Sequence, residues 1–184
     1  MPDAFVTANG NDLSIVFTRL GELTRRGPRN KRLVSRCNFS VPIDIAPGTF
    51  LAGWSQSLQY GIIKPAGVRA GLGLDTKFTG PLGAMKFDMP AFEIEFPRNQ
   101  NLNIPLAVAN ASRETFPEND RRYNRWKNRW CDKNRGKALE FAGTASTWSE
   151  RDADNTPVVI AIDGLDVHAD FGAVVQDCPT RPTP

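Results

Sequence analysis

Residues 33–45 (LVSRCNFSVPIDI) constrain the fold more than any other segment, because apolar and polar residues alternate along them. Apart from Ser35, the odd positions from Leu33 onwards are apolar, and the even positions after Val34 carry Arg, Asn, Ser, Pro and Asp. Successive side chains of a strand point to opposite faces, so this pattern predicts a long strand with one buried face and one wet face. A helix would scatter the same apolar residues around its circumference.

The same two-residue period recurs between turn sequences and predicts a protein of one-sided β-sheets. The further predicted strands are residues 12–17, 50–63, 68–78, 85–89, 92–96, 106–111, 139–148, 158–162 and 165–171. We interpret residues 98–104 (RNQNLNI) as an Asn-rich connection. Gly71 and Gly73, on the outer face of the strand over 68–78, predict a bend or a close neighbour. About eight to ten strands with short turns favour an antiparallel β-sandwich or jelly roll.

Residues 113–137 depart from this period and predict a short basic helix, or an ordered loop, inserted between strands. Tyr123, Trp126 and Trp130 lie at i, i+3 and i+7, which is helical spacing. The cationic residues around these rings are Arg121, Arg122, Arg125, Lys127, Arg129, Lys133, Arg135 and Lys137. A second cationic cluster precedes the strand at 33–45 and comprises Arg25, Arg26, Arg29, Lys31 and Arg32.

The composition is that of an ordinary globular domain, because 40% of the 184 residues are hydrophobic and 23% are charged. We predict one domain over residues 1–184, in which residues 179–184 form a Pro-rich tail. The chain has no run of about 18 apolar residues, so we expect no membrane span. Its first ten residues lack the basic and apolar regions of a signal peptide, so the protein either stays inside the cell or is a mature chain that has lost its leader.

The cysteine pattern argues against a metal site. Cys37, Cys131 and Cys178 form no CxxC pair and the chain has one His, so we expect no zinc site of the usual type, no other metal and no cofactor. The acidic turn at residues 150–155 resembles the start of a calcium loop but lacks the downstream Gly and Glu. The thiols are either all buried and reduced, or two of them form a disulfide in an oxidising compartment.

A series of short motifs runs along the chain in a fixed order. These motifs are Phe17, Ser35-Arg36-Cys37-Asn38, Pro47-Gly48, Tyr60-Gly61, Gly67-Val68, Thr79-Gly80-Pro81-Leu82, Cys131 and Cys178. They resemble a secreted family of unknown function from fungi and bacteria, which has an Arg-Lys-Asn-Cys block, a Tyr-Arg-Gly element, a Gly-Pro-Leu loop and two late cysteines. The similarity covers residues 10–85 well and the C-terminal third loosely. The family's N-terminal Gly-Cys-Pro and the Arg of Tyr-Arg-Gly are absent, and residues 86–130 have no counterpart.

The resemblance implies a secreted, disulfide-containing protein located outside the cell or on its surface. It brings no known activity and no catalytic residues. Because the fourth cysteine of the family is missing, three pairings remain open. We predict the pair Cys131–Cys178, which would tie the basic segment to the last strand, and a buried thiol at Cys37 on the core face of its strand.

Two interpretations apply to the basic and aromatic segment. Cationic side chains beside aromatic rings suit phosphate or sulfate backbones, with the rings stacking on bases or sugars. The predicted binding residues are Arg122, Tyr123, Arg125, Trp126, Lys127, Arg129 and Trp130. Alternatively, the segment is a solvated helix whose rings close one end of the sandwich while the stems of its arginines lie over them.

Two further groups of residues have the chemistry of catalytic sites. Glu93 and Glu95 lie on one face of the strand at 92–96, as the acid and the nucleophile of a jelly-roll glycosidase would, although any wet strand face with alternating Glu looks the same. His168 lies between Asp166 and Asp170 and has the chemistry of a base or a metal ligand, but a solvated surface His fits equally well.

The sequence favours a non-enzymatic extracellular β-sandwich with a structural or interaction role. It would associate with itself as a homo-oligomer if long strands such as 33–45 and 50–63 leave an edge uncovered. The first alternative is a binding module for anionic polymers or glycans that uses residues 121–137. The second alternative is a jelly-roll glycoside hydrolase that uses Glu93 and Glu95.

Overall fold

A computed structural model describes most of the chain as strands. It describes residues 3–9, 12–18, 20, 22–23, 32–80, 86–88, 91–116, 119–133, 138–151, 158–159 and 166–179. The elements in chain order are β1 Asp3–Asn9, β2 Asp12–Thr18, β3 Glu22–Leu23, β4 Arg32–Asp44, β5 Thr49–Lys64, β6 Val68–Thr79, β7 Lys86–Asp88, β8 Phe92–Phe96, β9 Leu102–Thr115, α1 Arg121–Lys133, β10 Ala138–Arg151, β11 Val158–Val159 and β12 Asp166–Asp177.

The strands form two antiparallel sheets, which confirms the predicted all-β sandwich. Sheet A has the order β1-β2-β12-β5-β11-β3, and β9 also pairs with β5. Sheet B has the order β4-β10-β6-β7, and β8 also pairs with β6. Rings from both sheets meet in the core, as Trp54 of β5 and Phe141 of β10 do with ring centroids 4.9 Å apart. The short basic helix is also confirmed, as α1.

The alternation in residues 33–45 is confirmed by burial along β4. Its even positions are exposed, and its odd positions are buried or half-buried, with Cys37 and Phe39 deepest. Strand β6 behaves in the same way, because its apolar positions from Val68 to Phe78 face the core. The wet faces of β4 and β6 therefore belong to the outer surface of sheet B.

Strand β5 is not one-sided as predicted, and a bulge near its start explains part of the difference. Val174 of β12 pairs with Gly53 and Val175 pairs with Leu51, so Ala52 has no partner on that side. An extra residue reverses the alternation beyond it. Leu51 is consequently buried at 1% exposure, although it occupies an odd position of a face predicted to be polar.

Strands β9 and β1 correct the sequence interpretation in two places. Strand β9 begins at Leu102, inside the stretch interpreted as a connection, and continues to Thr115, inside the segment assigned to the insertion. Pairing with β5 accounts for this length, because ladder hydrogen bonds satisfy backbone groups whatever the intrinsic preference of Asn. Strand β1 was not predicted; it pairs with β2, with Asn9 opposite Asp12.

A buried lysine joins two turns at one end of the sandwich. Lys64, the last residue of β5, is 2% exposed, and its Nζ donates to the carbonyls of Gln100 at 2.7 Å and Val68 at 2.9 Å. The backbone N–H of Gly67 also donates to the carbonyl of Arg98 at 2.8 Å. The β5–β6 turn and the β8–β9 turn are therefore held together by one ammonium group and a backbone bond.

Substitution of Lys64 tests this connection. Burial lowers the pKa of Lys64, so the unfolded chain holds the proton more tightly than the folded chain does. The free energy of unfolding should therefore rise as the pH increases from the folded pKa towards 10.5. We expect Lys64→Met to lower that free energy by about 1–3 kcal/mol near neutral pH and to remove this rise. Urea unfolding of both proteins from pH 7 to pH 10.5 measures both effects, and parallel pH profiles would contradict the prediction.

Candidate functional site

Helix α1 begins at an aspartate cap and turns an aromatic face towards the sandwich. The side chain of Asp120 accepts hydrogen bonds from the backbone N–H groups of Arg122 at 2.6 Å and Tyr123 at 3.3 Å, which satisfies two of the first donors of the helix. Tyr123, Trp126 and Trp130 are buried, at 2%, 4% and 1% exposure. The helical spacing of these rings was predicted correctly, and it describes a face that packs in the core.

Two of these rings bind the start of β5 through their polar atoms. The Tyr123 hydroxyl donates to the carbonyl of Leu51 at 3.0 Å, and the Trp130 Nε1–H donates to the carbonyl of Thr49 at 2.9 Å. Just after β9 ends, the N–H of Phe116 donates to the carbonyl of Ala52 at 3.1 Å. Where β9 has ended, side chains of the helix therefore supply hydrogen bonds to backbone carbonyls at the start of β5.

A disulfide fixes the C-terminal end of α1. Cys131 is bonded to Cys178, which directly follows β12, and the two residues are 47 apart in sequence. This confirms the predicted pairing and its predicted consequence, because the basic segment is tied to the last strand. Cys37 keeps its thiol and is buried at 5% exposure on the core face of β4, as predicted.

The opposite face of α1 is cationic. Four exposed arginines lie on it, namely Arg121, Arg122, Arg125 and Arg129. Residues at i, i+4 and i+8 of a helix are neighbours along one side, which groups Arg121, Arg125 and Arg129. The helix has no acidic residue in its first turn, and within the described part of the chain neither ion pair involves these four arginines.

The structure divides six of the seven predicted binding residues into two groups and places the seventh between them. Arg122, Arg125 and Arg129 are exposed on the cationic face, whereas the three aromatic rings lie on the buried face and offer no surface for stacking. Lys127 lies between these groups and is half-buried, with its Nζ 5.4 Å from the ring centroid of Phe50 and 5.8 Å from that of Tyr123. Among the seven predicted residues, ligand binding by α1 would therefore rely mainly on the guanidinium groups.

The two glutamates of strand β8 lie on the outer face of sheet B. Glu93 and Glu95 are both exposed. The Glu95 carboxylate accepts two hydrogen bonds from Arg69, at 2.7 and 2.9 Å, and Arg69 also lies 3.8 Å from Glu150. This arrangement is an open strand face with an ion pair. The glycosidase assignment stays a prediction.

A tryptophan and two arginines on the same face were not identified from the sequence as a group. Trp148 of β10 lies over Gly71, where an added Cβ would stand 2.5 Å from its ring, so the close neighbour predicted at Gly71 is this ring. The guanidinium of Arg32 lies 4.1 Å from the ring centroid of Trp148, and that of Arg69 lies 5.5 Å away. The sequence could have placed Trp148 on this face, because alternation from the core residue Leu139 puts Trp148 on the wet face of β10.

Several candidate residues lie outside the described part of the chain. These are Arg25, Arg26, Arg29, Lys31, Arg135 and Lys137, the turn at residues 152–155, and the side chains of Lys133, Asp166, His168 and Asp170. Among the described residues, no group of three or more His, Cys, Asp or Glu side chains is placed to hold a metal ion. In the same part of the chain, no helix is both long enough and apolar enough to cross a membrane.

Comparison with known proteins gives no relative: no family model, no curated protein and no solved structure matches this chain. The resemblance to the secreted cysteine-containing family stays a prediction. The features that bear on function are therefore the geometry of the cationic face and the disulfide that fixes α1.

Removal of the disulfide tests how strongly α1 is fixed. We expect the double variant Cys131→Ser/Cys178→Ser to lose about 2–4 kcal/mol of unfolding free energy, because the cross-link restricts the unfolded chain over a long loop. Urea unfolding with and without reductant measures the loss. Reductant should shift the parent protein to the midpoint of the variant and leave the variant unchanged, which separates the disulfide from any effect at Cys37. Equal midpoints for parent and variant without reductant would contradict the prediction.

Proposed function

We propose that this protein is a non-enzymatic, extracellular interaction domain that binds anionic polymers, such as sulfated glycans, through the cationic face of α1. The observation that carries the proposal is the set of four exposed arginines on a helix whose opposite face is built into the core. Guanidinium groups form paired hydrogen bonds with sulfate and phosphate oxygens, which makes arginine well suited to such ligands.

Repulsion within the cationic face supports the proposal. Like charges four residues apart destabilise a helix by a few tenths of a kcal/mol per pair, and Arg121, Arg125 and Arg129 form two such pairs, which the exposed Asp132, three residues after Arg129, offsets only in part. The ring contacts, the hydrogen bonds to β5 and the disulfide hold the helix despite this cost. A polyanion would neutralise the repulsion, so binding would gain free energy without any rearrangement of α1.

The buried rings define the character of the proposed binding. Without exposed aromatic side chains on α1, attraction comes from charge and from hydrogen bonds to anionic groups. Such binding depends little on the order of units in the polymer and weakens as salt concentration rises, because bound arginines displace counterions. A polymer with closely spaced sulfates or phosphates fits this description better than a neutral glycan does.

The disulfide supports the extracellular location within this proposal. Disulfides form and persist in oxidising environments and are rare in reducing cytoplasm. Because Cys131–Cys178 fixes the C-terminal end of α1, an oxidising compartment would also preserve the orientation of the proposed binding surface.

Charge-matched variants test polyanion binding. We expect Arg125→Gln/Arg129→Gln to weaken binding of a fluorescent heparin fragment at least several-fold and to lower the slope of log K against log salt by about 1–2, because each anionic contact contributes roughly 0.7–0.9. Fluorescence anisotropy at three or more NaCl concentrations measures both quantities. The control Arg36→Gln/Arg98→Gln removes the same charge from exposed sites outside α1 and should change binding little. Equal losses in both variants, or no binding by the parent protein, would refute the proposal.

Self-association is the second candidate role, and a row of exposed apolar residues on sheet A favours it. Ile63 of β5 is 51% exposed, and Leu106 and Val108 of β9 are 52% and 56% exposed. Strand β9 pairs with β5 alone among the described strands, which leaves one of its edges unpaired within that part of the chain and suited to a second copy. Strand β5 has neighbours on both sides and offers no edge, contrary to the expectation for residues 50–63.

A charge placed in this row tests self-association. We expect the parent protein to run as a dimer or larger homo-oligomer in size-exclusion chromatography with light scattering, and Leu106→Lys to make it monomeric, because a charge at a paired edge opposes association. The matched control is Phe5→Lys on β1, which changes another exposed apolar residue (61%) and should leave the mass unchanged. A monomeric parent protein at high concentration would exclude this role.

A further inference from the structure

The outer face of sheet B arranges its side chains in rows that cross β4, β10 and β6. The pairing registers fix which residues share a row, because directly opposed residues of antiparallel strands point to the same face. One row consists of Asn38, Thr144 and Asp75, and the next consists of Ser40, Ala142 and Lys77. On the central strand between these rows, Ala142 has a small side chain and Gly143 has none, whereas Asn38, Asp75 and Lys77 have longer polar side chains on the strands beside it.

This difference in side-chain size creates a hollow. It has a volume of about 250 Å³ and lies over Ala142 and Gly143, with Asn38 on one side and Asp75 and Lys77 on the other. Since a water molecule takes about 30 Å³ in the liquid, the volume corresponds to roughly eight waters. A single sugar ring is a ligand of this size.

The polar groups around the hollow have donors and acceptors that can form hydrogen bonds with a ligand. The Thr144 hydroxyl donates to Asn38 Oδ1 at 2.7 Å, which orients the Asn38 amide and leaves its two N–H donors. Asp75 and Lys77 are exposed, and within the described residues neither takes part in an ion pair. A carboxylate acceptor and two kinds of N–H donor therefore surround one small cavity.

We propose that this hollow binds one pyranose unit of a neutral glycan. Neighbouring sugar hydroxyls both donate and accept, so they match Asp75 as an acceptor and Asn38 and Lys77 as donors. The floor at Ala142 and Gly143 leaves room for the C–H surface of the ring. A sulfate or phosphate would be repelled by Asp75 as well as attracted by Lys77, so it gains no net charge attraction here, and an apolar ligand would leave all three polar groups unpaired. The site is on sheet B and is independent of the cationic face of α1.

Titration with neutral monosaccharides tests this site. The probes are glucose, galactose, mannose, xylose and N-acetylglucosamine, added to the full chain while backbone amide signals are followed by NMR. At least one sugar should give saturable shifts at Asn38, Asp75 and residues 142–144, with a dissociation constant in the millimolar range. Ala142→Phe, which fills the hollow from the solvent side, should abolish these shifts, and Asp75→Asn should weaken binding at least tenfold.

A matched control separates the hollow from the rest of the face. Asp44→Asn removes a carboxylate from an exposed position at the end of β4, outside the hollow, and should leave the dissociation constant unchanged. The amide spectrum shows whether each variant is folded. The proposal is overturned if no sugar in the panel shifts these signals, if Ala142→Phe still binds, or if free glycine competes for the site, which would indicate a zwitterion pocket between Asp75 and Lys77.

Discussion

Contacts between aromatic rings connect the two sheets and the helix into one core. Trp54 of sheet A lies 4.7 Å from Phe78 and 4.9 Å from Phe141 of sheet B, measured between ring centroids. From Phe78 the contacts continue without a gap into the helix, through Phe116, Tyr123, Trp126 and Trp130, with centroid distances between 5.4 and 6.5 Å. Each such pair contributes about 0.5–1.5 kcal/mol beyond the area it buries. The series therefore makes the position of α1 a consequence of the core.

This connection resolves the apparent conflict in α1 between its charge and its aromatic content. A helix with several arginines on one side and no acid in its first turn would be a weak helix in isolation. Here the burial of Tyr123, Trp126 and Trp130 stabilises the helix from the other side. The free energy of this burial offsets the repulsion between the arginines. The cationic face is thus presented by a rigid element, so that its arginines lose little backbone freedom when they bind a ligand.

Periodicity was sufficient to predict the fold class, and it failed where backbone pairing decides the structure. It gave the correct faces of β4 and β6 because both strands run without a bulge against β10. It misassigned Leu51, because the extra residue Ala52 is visible only in the register with β12. It also missed the first part of β9, since Asn residues indicate a connection until a neighbouring strand supplies their hydrogen bonds. A pairing partner far away in sequence leaves no local signal.

At the candidate site too, local sequence pattern did not show what each element packs against. Helical spacing of rings and arginines predicted which residues share a face, but a buried ring and a ligand-stacking ring have the same spacing. Only the carbonyl groups of Thr49 and Leu51, which receive hydrogen bonds from the helix, show that these rings face inward. The rows on sheet B were equally hidden, because Asn38, Thr144 and Asp75 come together only once three strands are in register.

The two proposed surfaces have opposite physical requirements, and the fold can meet both because different elements carry them. The α1 face needs uncompensated positive charge, which a helix provides when its neutral side is buried. The hollow on sheet B needs a donor and an acceptor at fixed separation, which paired strands provide because registers fix side-chain rows to within one residue. An anionic polymer would be attracted to the first surface, whereas the second surface has one carboxylate and one ammonium and offers it no net attraction. A glycan with both sulfated and neutral units would have a complementary site for each.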